Sequence, residues 1–299
     1  MRRIPGINAP TPRHMRGGMA VLKPFNTAAH VPDGYIFTRW LAALPWWTPF
    51  AMIALMLVWP TLAYAQSRFS TGDAFDALWR WMPFLLWSGF LFNVLISVLA
   101  MAIGTVAGAA LGLAQISPLK PLRMFAWFTT QLFRNSPWLV LLFIVLLALP
   151  FEITVFGQTI RIPDWMKGVF GLSLPVMANI SEVVRGAVQS VPTAQWEAAE
   201  SLAFSRRQIL WQIILPQCFK RMLPPWMNWY AILTMATPLC SLLGIEEIIT
   251  LSRQAMEAED NHPELLVPFF GFALIMFFIY CYPIARLTMR LERKFAVKL

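Results

Sequence analysis

Six stretches of this sequence, near residues 45–66, 84–115, 123–149, 166–189, 215–243 and 265–290, are each long and apolar enough to cross a bilayer. Nothing else in the chain narrows the available folds as much. Hydrocarbon holds no water to satisfy backbone N–H and C=O groups, so each run has to close its hydrogen bonds within itself, as a helix. Charged residues make up only 13% of the chain, about half the roughly 25% of a soluble domain. The expectation is an all-α integral membrane protein with about five core spans in a membrane domain at 84–290. An extra N-terminal span lies at 45–66. The second run exceeds what a bilayer needs, and its start at Trp81–Trp87 suits the interface, as do Trp46, Trp47 and Trp79.

Residues 1–44 are basic, rich in Pro and Gly, and without helical periodicity; they read as a disordered tail whose cations set topology or touch anionic lipid. Segment one ends Ala63-Tyr64-Ala65-Gln66, which imitates a signal-peptidase site. The long stretch before it is unlike an ordinary n-region, so the segment reads as an uncleaved anchor. With the N-terminus placed inside, the tail, the even-numbered loops, the inner ends of the spans and residues 291–299 gather 18 of the chain's 24 Lys and Arg residues. The opposite side holds most of the acids, including Glu257, Glu259, Asp260 and Glu264. That asymmetry obeys the positive-inside rule. It places both termini in the cytoplasm and argues against nucleic acid as the reason for a net charge of +9. Cys218, Cys240 and Cys281 are scattered, as are His14, His30 and His262, and form neither a disulfide framework nor a metal pattern.

One polar interruption, residues 193–214, separates two apolar runs and reads as structured. Thr193 is a candidate N-cap for a short helix containing Glu197, and Ser205 with Gln208 fits a capping box for a second. Ile209, Leu210, Ile213 and Ile214 would share a face, and Pro216 suits the first turn of the next span. A loop so equipped is a candidate docking surface. The Gly104, Gly108 and Gly112 stripe lets another helix approach the second span closely. No phosphate-binding Gly-x-x-x-x-Gly-Lys-Ser/Thr loop, nucleophile elbow or His-Glu-x-x-His is present, so the chain is not expected to bind ATP itself or to be an enzyme.

The run Glu197-Ala198-Ala199, followed by Leu202 and Ala203 and then by Ile213, Leu215 and Pro216, resembles the Glu-Ala-Ala loop of ABC importer permeases. The family has Gly where this chain has Ala203; if the left-handed turn is kept, Ala adds strain of about 1 kcal/mol. Asn93-Val94-Leu95-Ile96-Ser97, Phe133-Arg134-Asn135-Ser136-Pro137 and Ile180-Ser181-Glu182-Val183-Val184-Arg185-Gly186 look like motifs of its polar amino-acid branch. The resemblance covers roughly 90–290. It implies a type I ABC importer permease fold and a cytoplasmic ATPase dimer, which would bind the ATP and Mg and seat the loop in a cleft. It also implies a second permease chain, identical or related, a periplasmic or extracellular substrate-binding protein, and residence in the bacterial inner membrane. The cargo would be a polar amino acid or a derivative. In the fifth span the branch has Lys-Asp-Thr-Ser-Leu after Asn, whereas Asn228 here is followed by Met235, Ala236, Thr237 and Pro238; this leaves an importer of another substrate open. A channel or a passive membrane assembly component is the alternative from a different class, and a membrane enzyme is a third.

Arg134, Asn135, Ser136, Asn228 and Thr237 are candidate pathway residues. An intramembrane Arg costs at least about 2.5–3.5 kcal/mol without water or a partner. Arg134 either receives a substrate carboxylate or pairs with a carbonyl or acid and braces a kink before Pro137. Glu182 and Arg185, three apart on one helix face, are either an exposed pair worth about 0.2–0.5 kcal/mol or part of a cytoplasmic gate.

Overall fold

A computed structural model describes residues 45, 47, 48, 50–55, 69–155 and 158–295. The basic tail, most of the 45–66 span with its Ala63–Gln66 motif, and residues 296–299 lie outside the described residues. The chain divides into two units, Met1–Trp59 and Pro60–Leu299. In the first, residues 50–55 are helical, and the Thr48 hydroxyl donates to the Pro45 carbonyl at 2.8 Å.

The second unit opens with α1 (Thr71–Phe84), started by a full capping box: Ser70 accepts from the Asp73 amide while the Asp73 carboxylate accepts from the Ser70 amide. A π-helical segment, Leu85–Phe90, joins α1 to α2 (Leu91–Gln115) without a break. The continuous helix Thr71–Gln115 therefore starts well before the expected residue 84. Its first turns carry Asp73, Asp76 and Arg80, polar enough to hide the helix from a search for apolar runs.

The next apolar run is two helices, α3 (Lys120–Arg134) and α4 (Trp138–Ala148), which meet at 107°. Proline explains the break: Pro137 has no N–H for the ladder and disfavours helical geometry in the residue before it. A two-stranded antiparallel hairpin follows, β1 (Glu152–Val155) and β2 (Gln158–Arg161), pairing Glu152 with Arg161 and Thr154 with Thr159. The apolar pattern carries no sign of it.

Helix α5 (Asp164–Gln189) is the axis of the unit, with α2, α3, α4 and α8 packed on it. Glycine permits the tightest of these contacts. A Cβ on Gly104 would sit 2.5 Å from Val176 Cγ1, on Gly108 2.6 Å from the Met177 carbonyl oxygen, and on Gly112 2.6 Å from that of Ser181. The stripe therefore serves a helix of the same chain. Ile96, Ala100 and Met101 of α2 join Leu172, Val176 and Ile180 of α5 in the main core.

After α5 come α6 (Thr193–Ser201), α7 (Arg206–Gln208), a π-helical segment Ile209–Ile214, and α8 (Leu215–Ala236) with Pro216 in its first turn, as expected. Pro238 is expected to kink the fifth span; there α8 tightens into a 3-10 segment, Thr237–Leu243, which ends at left-handed Gly244. Helix α9 (Ile248–Ala258) then leaves at 49° to the preceding helix. It stands where the sequence reads as an acidic loop. A 3-10 turn, Pro263–Leu265, leads into α10 (Leu266–Phe295). Ala74, Ala77 and Leu78 of α1 pack with Leu251 and Ala255 of α9 and Phe269 of α10 in a second core.

Among the described residues, Thr71–Gln115 and Pro263–Phe295 are long and apolar enough to cross a membrane alone, and each bent pair passes if counted as one span. The expected span at 166–189 does not pass. It is α5, which carries Ser173, Asn179, Ser181, Glu182 and Arg185, and its neighbours cover most of it.

Candidate functional site

Pro192, with φ −54° and ψ 140°, fixes the entry to α6, and no side chain caps it. Thr193 is its first helical residue, so the expected Thr193 cap is corrected: Pro192 holds the N-cap position, and its carbonyl accepts from the Gln195 amide at 3.1 Å. The far end closes in a Schellman arrangement. The Phe204 amide donates to the Ala199 carbonyl at 3.2 Å and the Ala203 amide to the Glu200 carbonyl at 2.9 Å. Ala203 sits at φ 62°, the position where glycine would carry no steric cost.

Ser205 then starts α7 with the expected capping box. The following segment buries Ile209 and Ile214 completely, with Leu210, Ile213 and Leu215 partly covered beside them. A π turn bonds residues five apart, which suits the spacing of 209 and 214. These side chains meet Ala187 and Val188 of α5, Val191 just beyond it and Ala199 of α6, giving the loop a core of its own. Two side chains of α8 close the base of the loop against the end of α5: Arg221 donates to the Ser190 carbonyl at 2.8 Å and to its hydroxyl at 2.7 Å, and Cys218 Sγ donates to the Ala187 carbonyl at 3.3 Å. Outward, Glu197, Ala198, Glu200 and Ala203 are exposed, and Leu202 is 73% exposed. A large apolar side chain held clear of the surface on a braced loop, beside two carboxylates, is shaped to enter a cleft.

The second constellation sits where α3 meets α5. Arg134 ends α3, and its Nη1 lies 3.7 Å from Glu182 Oε2. Arg185 holds the same carboxylate through Nε at 3.3 Å and through Nη2, and its Nη1 donates to Gln189 Oε1 at 2.9 Å. Two guanidiniums on one carboxylate leave a net positive spot, and the Arg134 side chain is 46% exposed. Both readings of Arg134 keep support: it has an acid partner at the kink, and it keeps donors for an anion. Deeper in, Gln115 Nε2 donates to Thr130 Oγ1 at 3.0 Å and to Ser181 Oγ at 3.2 Å. This buried polar trio stitches α2, α3 and α5.

Asn135 and Ser136 satisfy the broken backbone, Asn135 Nδ2 donating to the Gln131 carbonyl at 2.7 Å and the Ser136 hydroxyl to the Leu132 carbonyl at 2.6 Å. Asn228 is exposed on α8. Thr237 is fully buried; its hydroxyl accepts from Asn93 Nδ2 at 3.0 Å and donates to the Thr234 carbonyl at 2.8 Å. It sits in the packed interior of this chain. Sequence reasoning missed the cluster around it. Glu247 is buried and caps α9 by accepting from the Ile249 and Thr250 amides, both at 3.0 Å, while Asn93 Nδ2 donates to its other oxygen at 2.9 Å. A signal is present: Gly244 is followed three residues on by Glu247, ahead of an amphipathic run.

The acidic residues at 257–264 divide. Glu259 is engaged by Trp81 Nε1 at 2.9 Å and by Arg80 Nη2 at 2.8 Å, and Glu264 is buried. Glu257 and Asp260 remain exposed.

Residues 103–295 match the family profile of the binding-protein-dependent transport system inner membrane component. A probable amino-acid ABC transporter permease, y4tF of Sinorhizobium fredii, is 32% identical over 183 residues, 60% of this chain and 77% of the relative. The arginine transport system permease ArtQ of Bacillus subtilis is 30% identical over 193 residues, 64% of this chain and 85% of the relative. The L-cystine transport system permease TcyB of the same organism is 27% identical over 210 residues, 70% and 86%. Among solved structures, an amino acid ABC transporter determined with histidines superposes with a TM-score of 0.62 at 24% identity, covering 74% of this chain and 98% of that one. The methionine transporter MetNI, inward facing, gives 0.56 at 16% identity, 72% and 98%. At these identities the superpositions speak for the fold.

Proposed function

Because the chain belongs to the family of binding-protein-dependent transport system inner membrane components, and is therefore the membrane-spanning permease subunit of an ABC importer, we propose that it moves a polar amino acid or amino-acid derivative into the cell. The work comes from a pair of ATPase subunits that bind ATP and Mg and clasp the loop 193–214. When they close, the loop moves as one piece, because its apolar core packs on the end of α5 and the start of α8, which the Arg221 and Cys218 bonds clamp to each other. The observation that carries this reading is the form of α6: a braced helix that presents Leu202 and two glutamates outward and has no internal use for them. A second permease chain, identical or related, completes the pathway, and a substrate-binding protein delivers cargo at the face bearing Glu257 and Asp260. Positive-inside charge supports a cytoplasmic loop and cytoplasmic termini. Arg134 and Arg185 around Glu182 favour a cargo with a carboxylate, which the relatives named for glutamine, arginine and cystine transport also support.

The test is ATP hydrolysis by the purified complex, with and without loaded binding protein. Glu197→Arg and Leu202→Arg are expected to abolish the substrate-stimulated part while the permease remains folded. Flux that proceeds without ATP would instead identify a channel.

A further inference from the structure

Beside the loop lies an open cavity of about 880 Å³ between the end of α2, the start of α3, the end of α5 and the α6–α7 segment. Its walls are largely apolar, with Leu113, Ile116, Leu122, Val191, Trp196 and Leu210 among them. Three guanidiniums stand around it, those of Arg123, Arg206 and Arg207, all exposed, and no lining residue is acidic. Thr193, which opens α6, also lines it, so the positive end of that helix adds to the field. A smaller cavity of about 420 Å³ shares Gln115, Arg123 and Gln189 and reaches Arg185. Arg206 and Arg207 lie within the 193–214 loop, but the outward contacts assigned to it above are those of Leu202 and the two glutamates, and they use neither these arginines nor this space.

We propose that the larger cavity binds one anionic phospholipid, its phosphate held by Arg123, Arg206 and Arg207 and the first part of an acyl chain laid along the apolar wall. Arginine forks match phosphate oxygens, and basic pockets between membrane helices at the cytoplasmic face are where anionic headgroups lodge. The volume lies within the roughly 300–1,000 Å³ of small-molecule sites. A free phosphate would meet the same cations but leave the apolar wall wet, so the shared chemistry points to the amphiphile. The site lies at the end of the bundle that carries the loop, and it needs only that this end face the membrane surface; it stands whether or not the cargo is an amino acid.

The experiment is native mass spectrometry of the intact importer complex, loaded with phosphatidylglycerol, with phosphatidylcholine of the same chains, or with inorganic phosphate. The expected result is one retained phosphatidylglycerol per permease chain, with affinity falling roughly fivefold for each guanidinium removed in Arg123→Gln and in Arg206→Gln combined with Arg207→Gln. Arg290→Gln, which removes a charge from exposed α10, is expected to keep the lipid and also reports that the complex survives loss of an arginine. Equal retention of phosphatidylcholine, equal protection by inorganic phosphate, or undiminished lipid in the arginine variants overturns the proposal. So does lipid that binds the permease alone and is expelled when the ATPase is present, since an acidic segment of that partner would then own the cavity.

Discussion

Ala203→Gly is a direct probe of the loop that couples this permease to its motor. Ala203 holds φ 62° and donates its amide to the Glu200 carbonyl, while the Phe204 amide reaches back to Ala199. An L-residue in this region costs about 1–2 kcal/mol, and glycine removes that cost. Glycine in turn gives up about 0.5–1 kcal/mol more backbone entropy on ordering. The difference leaves a net stabilisation of about 0.5–1 kcal/mol for the last turn of α6, which lowers the opened population of that turn roughly two- to fivefold. Hydrogen–deuterium exchange in the full complex, corrected for the intrinsic rate of glycine, should therefore show residues 203 and 204 exchanging roughly two- to fivefold more slowly than in the wild type. Ala203→Val, β-branched in the same conformation, should move them the other way. The reasoning is refuted if these two amides exchange in the Ala203→Gly variant as fast as in the wild type or faster, because the strain assigned to this turn would then not exist.

Three further outcomes follow from packing and charge. Gly108→Leu forces side-chain atoms into a space where even a Cβ lies 2.6 Å from the Met177 carbonyl oxygen, so it should cost about 1–3 kcal/mol or more in thermal or denaturant unfolding, whereas Gly271→Ala, with nothing within 4 Å, should be tolerated. Asn93→Leu leaves the buried Glu247 carboxylate without its side-chain donor and the Ile248 amide without its acceptor, a loss of about 1–3 kcal/mol for each group; adding Glu247→Gln should recover part of it, and strict additivity of the two would deny the coupling. The Trp81 indole N–H and then the Arg80 guanidinium hold the Glu259 carboxyl below its usual range. Because the folded state has the lower pKa, the stability it contributes is present above the ordinary carboxylate range and is lost as pH falls through the depressed value. Trp81→Phe should lower the melting temperature at neutral pH, and the gap from wild type should close in acid; a gap that is constant with pH rejects this assignment.

Where sequence and structure agree, the physics is local or periodic. The Ser205–Gln208 capping box, Pro216 in a first turn, the break before Pro137 and the apolar face of 209–214 all depend on residues within a turn or two of each other. The left-handed residue at 203 is legible because the family's glycine is replaced there. What is not legible depends on partners distant in the chain. Asn93 and Glu247 lie far apart in sequence, and nothing in either neighbourhood announces the other. Thr237 stands out in the sequence by its position in the fifth span, and its bond to Asn93 in that buried cluster is not legible there. Helix α1 escapes because a search for apolar runs discards amphipathic turns, although Ser70-x-x-Asp73 marks its start.

Helix α5 is heavily covered by its neighbours, and among the described residues it is a long helix that passes as a membrane span neither alone nor in a bent pair. During synthesis such a segment gains too little from lipid to leave the translocon unaided. Glycines 104, 108 and 112 are made before it and give it a protein surface to leave toward. The order of the gene is thus expected to serve as an assembly order, with the host helix in the bilayer first and the polar guest following into its groove; Gly108→Leu, which fills that groove, should then lower insertion of α5 in a glycosylation-mapping assay.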